Sequence, residues 1–293
     1  MRFNGGEPLS WSRLERILSG RPGPEPVPVG HTGTPAGGAY GEVTGETGER
    51  VASPPPRRRE APVVSFAELH AVSSYSFLGG ASEPEDLVER ACELGLSALG
   101  LLDRDGFYGA VKFAEAAAAA GLDTVFGAEL TLQDSGGGNE RILPVIARGP
   151  EGYRRLSHLM ADAHMATREK DKVAYPPLEL IGDALDGTCV VLAGWRWAGE
   201  IDHLIECFGA ANVVREYEVS MCPEDADRHT TLDSFVHIPA IVTAAPAAAT
   251  RDQARLAAAK RALARRESLA QAHGDLHPMG ANWLSSGEQL ATM

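Results

Sequence analysis

Along residues 66–132 the chain switches between short apolar runs and stretches with helical spacing: FAELHAVSSYSFLGGASEPEDLVERACELGLSALGLLDRDGFYGAVKFAEAAAAAGLDTVFGAELTL. Short apolar runs bounded by turn residues read as buried strands; apolar residues three and four apart read as helices. With the preceding VVS, this predicts strands over residues 63–69, 98–102 and 124–132, and helices over 84–94 and 109–120. Ser82 and Glu85 have the spacing of a capping box for the first helix, and Gly95 and Gly121 close the two helices.

The alternation continues downstream. Residues 134–139 (DSGGGN) form a turn, 141–147 a strand, and 150–165 a helix with Tyr153, Leu156, Leu159 and Met160 on its apolar side. A polar, Pro-containing loop runs to about Gly187. Then come strand 188–193, helix 198–208, strand 213–219, helix 226–236, strand 238–244 and a long Ala/Arg helix over 250–272. About seven strands alternating with helices predict βαβ units and a parallel sheet, open or closed into a barrel.

The pattern differs before this region. Residues 9–19 (LSWSRLERILS) place Trp11, Leu14, Ile17 and Leu18 on one face of a helix too short to stand alone. Residues 20–62 are rich in Gly, Pro, Thr and Glu and read as a disordered linker. The expected organisation is a short amphipathic segment at 1–19, the linker at 20–62, a barrel domain at 63–272 and a C-terminal tail at 273–293.

Composition narrows the function classes. The 293 residues are 44% hydrophobic and 23% charged, enough for one large domain or two small ones. The net charge of −13 makes strong direct nucleic-acid binding unexpected, because phosphate contacts need clustered Lys and Arg. Arg57, Arg58 and Arg59 form the only sharp basic run, and it lies in the linker. No run approaches the roughly 20 apolar residues of a membrane span, and the start lacks a signal-peptide pattern. These features imply a soluble cytoplasmic protein without membrane contact. Cys92, Cys189, Cys207 and Cys222 form no C-x-x-C pair and read as buried or idle thiols.

Candidate chemistry sits at strand ends. His70, Asp103 and Glu129 each fall at or just after one, where one His and two carboxylates could form a small metal cluster. The plainer alternative makes His70 a polar loop residue, Asp103 a cap and Glu129 a salt-bridge partner. Other signals are weaker. His158 and His164 are six apart on a helix and face different ways, and Gly274 and Pro278 interrupt the His273–His277 spacing. Ser73, Ser74 and Ser76 have no readable triad partner, and Gly136-Gly137-Gly138 is a turn without the P-loop pattern.

Three of these stretches, ELHAVSSYSFLGGAS, GLLDRDGFYGAVKFAEAA and TVFGAELTL, resemble the polymerase-and-histidinol-phosphatase (PHP) domain that opens bacterial replicative-type DNA polymerase alpha subunits. The resemblance is nearest to the error-prone branch, used in damage-tolerant synthesis. SWSRLERILSG, PEGYRRLSHLMADAH and HPMGANWLSSGEQLA extend it over nearly the whole folded chain. It implies a distorted seven-stranded (β/α) barrel with a multi-metal mouth, followed in the family by a polymerase core.

The same comparison implies a depleted mouth. Where the family carries His-x-His, this chain has His70-Ala71-Val72; where it carries FLDGAS, this chain has Gly79. Asp-His-Asp is replaced by Asp103-Arg104-Asp105, a cysteine by Trp195 after Gly194, and an Asn-Asp-x-His run by Thr243-Ala244-Ala245-Pro246-Ala247. His70 and Glu129 then remain as remnant metal ligands, with Asp103 and Asp105 as neighbours. Catalytic zinc usually takes three protein ligands, and Arg104 sets a permanent positive charge beside them. No cofactor is expected, and residual Zn²⁺, Mn²⁺ or Mg²⁺ binding would be weak.

Polymerase chemistry needs acidic residues holding two Mg²⁺, and by this resemblance the chain ends at Met293, where the family's core would begin. The expected role is a non-catalytic scaffold of an error-prone, translesion polymerase alpha-like protein in DNA replication and repair. Alternatives are an active metal-dependent phosphoesterase or 3′–5′ exonuclease, or the product of an interrupted gene. Expected partners are the rest of a separately encoded polymerase chain, damage-tolerance accessory proteins and a sliding clamp.

Overall fold

The computed structural model describes residues 64–133, 140–167, 172–277 and 282–293. The helix expected at 9–19, the linker 20–62 with its three arginines and the turn at Gly136-Gly137-Gly138 lie outside the described residues.

Seven strands form one sheet in sequential order: β1 (Glu68–Ala71), β2 (Ala98–Arg104), β3 (Asp123–Gln133), β4 (Glu140–Ala147), β5 (Cys189–Ala193), β6 (Val213–Glu218) and β7 (Ala240–Thr243). Just past β1 and β7, Val72 N–H donates to the Pro246 carbonyl at 2.9 Å, and Ala81 N–H to the Ala247 carbonyl at 2.7 Å. These bonds bring the two edges together, so the sheet is a nearly closed barrel flanked by helices, the architecture expected from the alternation.

The sheet is not all parallel. β4 runs antiparallel to both β3 and β5, while the other neighbours are parallel. Only residues 134–139 separate β3 from β4, and a parallel crossover needs about a dozen or more. β1 is shorter than the predicted strand. It begins at Glu68, because the Phe66 carbonyl accepts both the N–H (2.8 Å) and the hydroxyl (3.0 Å) of Ser97 and no ladder continues upstream.

The helices are α1 (Pro84–Leu94), α2 (Ala110–Ala120), α3 (Gly149–Ala166), α4 (Leu178–Leu185), α5 (Ile201–Phe208), α6 (Asp225–Asp233), α7 (Arg251–Ala264) and α8 (Gly287–Leu290). Gly95 (φ 73°) and Gly121 (φ 64°) end α1 and α2 in the left-handed conformation that glycine adopts without cost. Ser82 does not cap α1. The N-cap is Glu83, and the buried Ser82 hydroxyl accepts the Ala249 N–H at 2.7 Å and donates to Gln253 at 2.8 Å, so it ties the start of α1 to the start of α7.

α4 falls where a loop was expected. Leu178, Ile181 and Leu185 have helical spacing, but two prolines and Gly182 mask the signal. α7 stops at Ala264 rather than 272, and Arg266 then takes φ 57°. Residues 265–271 are largely exposed, so no apolar face holds a longer helix.

Two cores result. Leu130, Leu143, Val145 and Val191 pack under Leu156, Ile181, Leu204 and Trp197. Leu87, Leu99, Leu101 and Phe113 form the other, joined by Leu284 from the C-terminal residues, whose N–H donates to Ala248 at 2.9 Å. Each large side chain so buried contributes about 1.5–3 kcal/mol. Among the described residues no helix is long and apolar enough to cross a membrane.

Candidate functional site

A cavity of about 610 Å³ opens where the strand ends meet. His70, Arg104, Glu129 and Glu216 line it, with Val72, Gly79, Trp195, Ala245 and Ala247. β1 supplies His70, β2 Arg104, β3 Glu129 and β6 Glu216, so elements far apart in sequence converge on one face.

His70 is the centre of a buried ion-pair chain. Its Nδ1 lies 2.7 Å from Glu216 Oε1 and its Nε2 lies 3.1 Å from Glu129 Oε1. An imidazole that faces a carboxylate at both nitrogens must carry both protons to donate to both. Burial opposes that charge, but the Glu216 and Glu129 carboxylates outweigh it and hold His70 well above its ordinary range. The second oxygen of Glu129 accepts from Arg104 at 3.3 Å. Burial would raise the Glu129 carboxyl, yet the bonds from His70 and the Arg104 charge lower it. Thr243 donates to Glu216 Oε1 at 2.7 Å.

Behind this chain stands Glu68, fully buried. Its two oxygens accept the backbone N–H groups of His70 (2.9 Å) and Ala244 (2.8 Å), so it fastens β1 to the end of β7. Burial pushes its carboxyl up to about 7, against the pull of those two N–H groups. Glu218 is raised chiefly by burial and then by Glu216, and the charges of His70 and Arg261 oppose that rise. Arg261 is itself lowered, first by burial. His277, also on the cavity wall, is lowered to about 4 by burial and the Arg261 charge.

The four residues expected to form or border a metal site separate into two groups. His70 and Glu129 meet directly. Asp103 and Asp105 are held elsewhere. Asp103 accepts the Ser73 N–H at 2.8 Å and the hydroxyls of Ser73 and Ser76 at 2.8–2.9 Å, so it clamps the loop after β1. Asp105 takes φ 51° and accepts from Thr131 (N–H 2.9 Å, hydroxyl 2.6 Å) and from Tyr175 at 2.9 Å. Glu216, Glu68 and Glu218 were not anticipated from the sequence. Their signal was there: carboxylates inside short strands, ELHA and VVREYE, where one that becomes buried needs a partner.

These residues do not fit a multi-metal centre. The two nitrogens of His70 point at different carboxylates, Glu129 also holds a guanidinium, and both Glu68 oxygens are taken by backbone donors. Side-chain cations, the His70 imidazolium with Arg104 and Arg261, stand among Glu129, Glu216 and Glu218 and balance charge that would otherwise be buried alone. Among the described residues, the His/Cys/carboxylate group whose ligand atoms all lie within 4.8 Å of one another is elsewhere: Glu179, His203 and Cys207.

The mouth also holds strain. Ala245 has φ 42°, in the segment that stands where the resembled family carries an Asn-Asp-x-His run, and the left-handed region suits Asn, Asp or Gly better than alanine. Ala245→Gly is expected to raise stability by about 0.5–1 kcal/mol, read as a higher urea midpoint with an unchanged slope.

The chain is similar to known proteins over nearly its whole length. Error-prone DNA polymerase from Corynebacterium efficiens is 52% identical over 296 residues, which is 98% of this chain and 27% of that protein. The protein of the same name from Corynebacterium glutamicum is 47% identical over 301 residues, 99% of this chain and 26% of its own length. That from Mycobacterium tuberculosis is 40% identical over 311 residues, 98% and 27%. The chain thus spans about a quarter of the length of the curated relatives it matches. Among solved structures, an amidohydrolase from Chromobacterium violaceum superposes with TM-score 0.45 and 16% identity, covering 61% of this chain and 87% of that one. The family model described as "PHP domain" matches residues 68–224, from the first strand through all but the last and over just over half of the 293 residues, and so this chain belongs to the PHP domain family.

Proposed function

We propose that this PHP domain is the N-terminal module of an error-prone DNA polymerase, acting in the cytoplasm in translesion DNA replication and repair, and that it works as a scaffold rather than as a hydrolase. What supports the polymerase assignment is the 52% identity over 98% of the chain with a protein of that name. What supports the scaffold role is one arrangement: both ring nitrogens of His70 are engaged by Glu129 and Glu216, and Arg104 holds the free oxygen of Glu129. A phosphoesterase needs open ligand positions on a metal to activate water and to neutralise the phosphoryl charge. Here the same carboxylates are satisfied by protein cations, and the barrel keeps its shape for binding. Its partners on this reading are the polymerase core, damage-tolerance accessory proteins and the sliding clamp. The net charge of −13 leaves the grip on DNA to those parts.

The test is hydrolysis of p-nitrophenyl phosphate and of a 3′-labelled DNA strand by the purified chain, with added Mn²⁺ or Zn²⁺. Wild type and His70→Gln are expected to give the same background rate. Turnover that disappears in His70→Gln would make the mouth an active site and end the scaffold reading.

A further inference from the structure

Helices α4 and α5 cross at Gly182. A Cβ built there would overlap the Cys207 carbonyl of α5, so only glycine allows the two backbones to approach this closely. The close crossing assembles three side chains on the outside of the barrel. Glu179 lies in the first turn of α4, and His203 and Cys207 lie on one face of α5 at i and i+4. Glu179 Oε1 is 3.4 Å from His203 Nε2, and Cys207 Sγ is 3.8 Å from the same nitrogen. Zinc bonds of about 2.0–2.2 Å to N and O and about 2.3 Å to S, at tetrahedral angles, separate N from O by about 3.4 Å and N from S by about 3.6 Å. The two separations from His203 Nε2 match two edges of a zinc tetrahedron, and the ligand atoms of Glu179, His203 and Cys207 all lie within 4.8 Å of one another.

A fourth residue serves the site without reaching its centre. Glu206 Oε2 lies 3.6 Å from the other ring nitrogen, His203 Nδ1, which is itself 3.9 Å from Cys207 Sγ. A carboxylate there keeps the proton on Nδ1 and leaves Nε2 as the ligand, the usual arrangement behind a metal-bound imidazole. Glu179, Glu206 and Asp183 also surround the thiol with negative charge that a cation would relieve. The mixed S, N and O donors suit zinc or its analogue cobalt, whereas Mg²⁺ takes oxygen ligands in octahedral geometry.

We propose that Glu179, His203 and Cys207 form a Zn²⁺ site on the α4–α5 surface, separate from the barrel mouth, with water as the fourth ligand. Cys207 binds as the thiolate and releases its proton to solvent. The site pins α4 to α5 and does not depend on the scaffold reading of the mouth.

Cobalt titration of the full chain under reducing conditions tests it. A near-ultraviolet sulfur-to-cobalt charge-transfer band is expected to saturate at one equivalent and to be abolished by one equivalent of Zn²⁺ but not by Mg²⁺. Cys207→Ser should remove the band. Glu179→Gln, at an exposed position where the fold is not at stake, should weaken cobalt binding about tenfold or more, and Glu206→Gln about tenfold. Cys222→Ser should leave the band intact. Absence of a band in wild type, its survival in Cys207→Ser, or its loss in Cys222→Ser would each overturn the proposal.

Discussion

His70→Ala is expected to cost about 3–5 kcal/mol, because removing one partner of a buried ion pair strands the other charges away from water. Here two carboxylates, Glu129 and Glu216, lose a shared cation at once, and Arg104 reaches only Glu129. For a domain of this size each kcal/mol corresponds to about 2–4 °C in Tm, so a fall of about 6–20 °C should be seen by differential scanning calorimetry. A fall under about 2 °C would mean that the chain of pairs does not hold the barrel closed.

The pH dependence separates this effect from simple loss of packing. The folded pKa of His70 is well above its reference value of 6.5, so its stabilisation is fully present below 6.5 and is lost as pH rises through the higher folded value. Glu68, raised from 4.5 to about 7, has the same sign and loses its contribution between those two values. Glu129 is lowered, so its contribution is present above 4.5 and is lost as pH falls through the lower folded value. Wild-type Tm should therefore decline on the alkaline side of 6.5. In His70→Ala that alkaline decline should be flatter, which a cavity alone would not produce.

Trp197→Ala should have a comparable effect by a different route. Trp197 is 2% exposed and belongs to the larger core, between the 3₁₀ turn after β5 and strand β4. Its indole N–H donates to the Ile142 carbonyl at 2.8 Å, and the Arg141 guanidinium lies 3.9 Å from its ring. Arg141 in turn makes two bonds to Glu200, at 2.6 and 2.9 Å. Truncation leaves a cavity, an unpaired carbonyl and a guanidinium without its platform, at a cost of about 3–5 kcal/mol. Trp197→Phe keeps an aromatic ring and loses the hydrogen bond, so about 1–2 kcal/mol is expected. Urea unfolding should show both shifts in the midpoint at constant slope. Equal losses for the two variants would place the energy in the N–H bond rather than in the ring.

The charge network of the mouth was legible in part. His70 and Glu129 stood out because they sit at the ends of apolar strands, and an α/β barrel brings such ends to one face. Asp103 and Asp105 sat at an equivalent end, yet their carboxylates turn to Ser73, Ser76, Thr131 and Tyr175. Spacing in the chain says where a side chain starts and not which hydroxyl will capture it. Glu216 and Glu68 were overlooked because a carboxylate inside a strand is ambiguous until the neighbouring strands are known.

The order of strands and most helices followed from hydrophobic period and from glycine stops, because those signals are local and each element carries its own. The same local logic, applied to the six-residue gap after β3, would have predicted that β4 turns back. What only the tertiary structure decided was the pairing of charges: His70 with a glutamate 146 positions away, Glu68 with a backbone N–H 176 positions away, and Cys207 with a histidine one turn back and a glutamate on another helix. Those contacts depend on barrel closure and on the glycine at the α4–α5 crossing. Burial then decides whether each charge is kept, and burial is a property of the assembled fold.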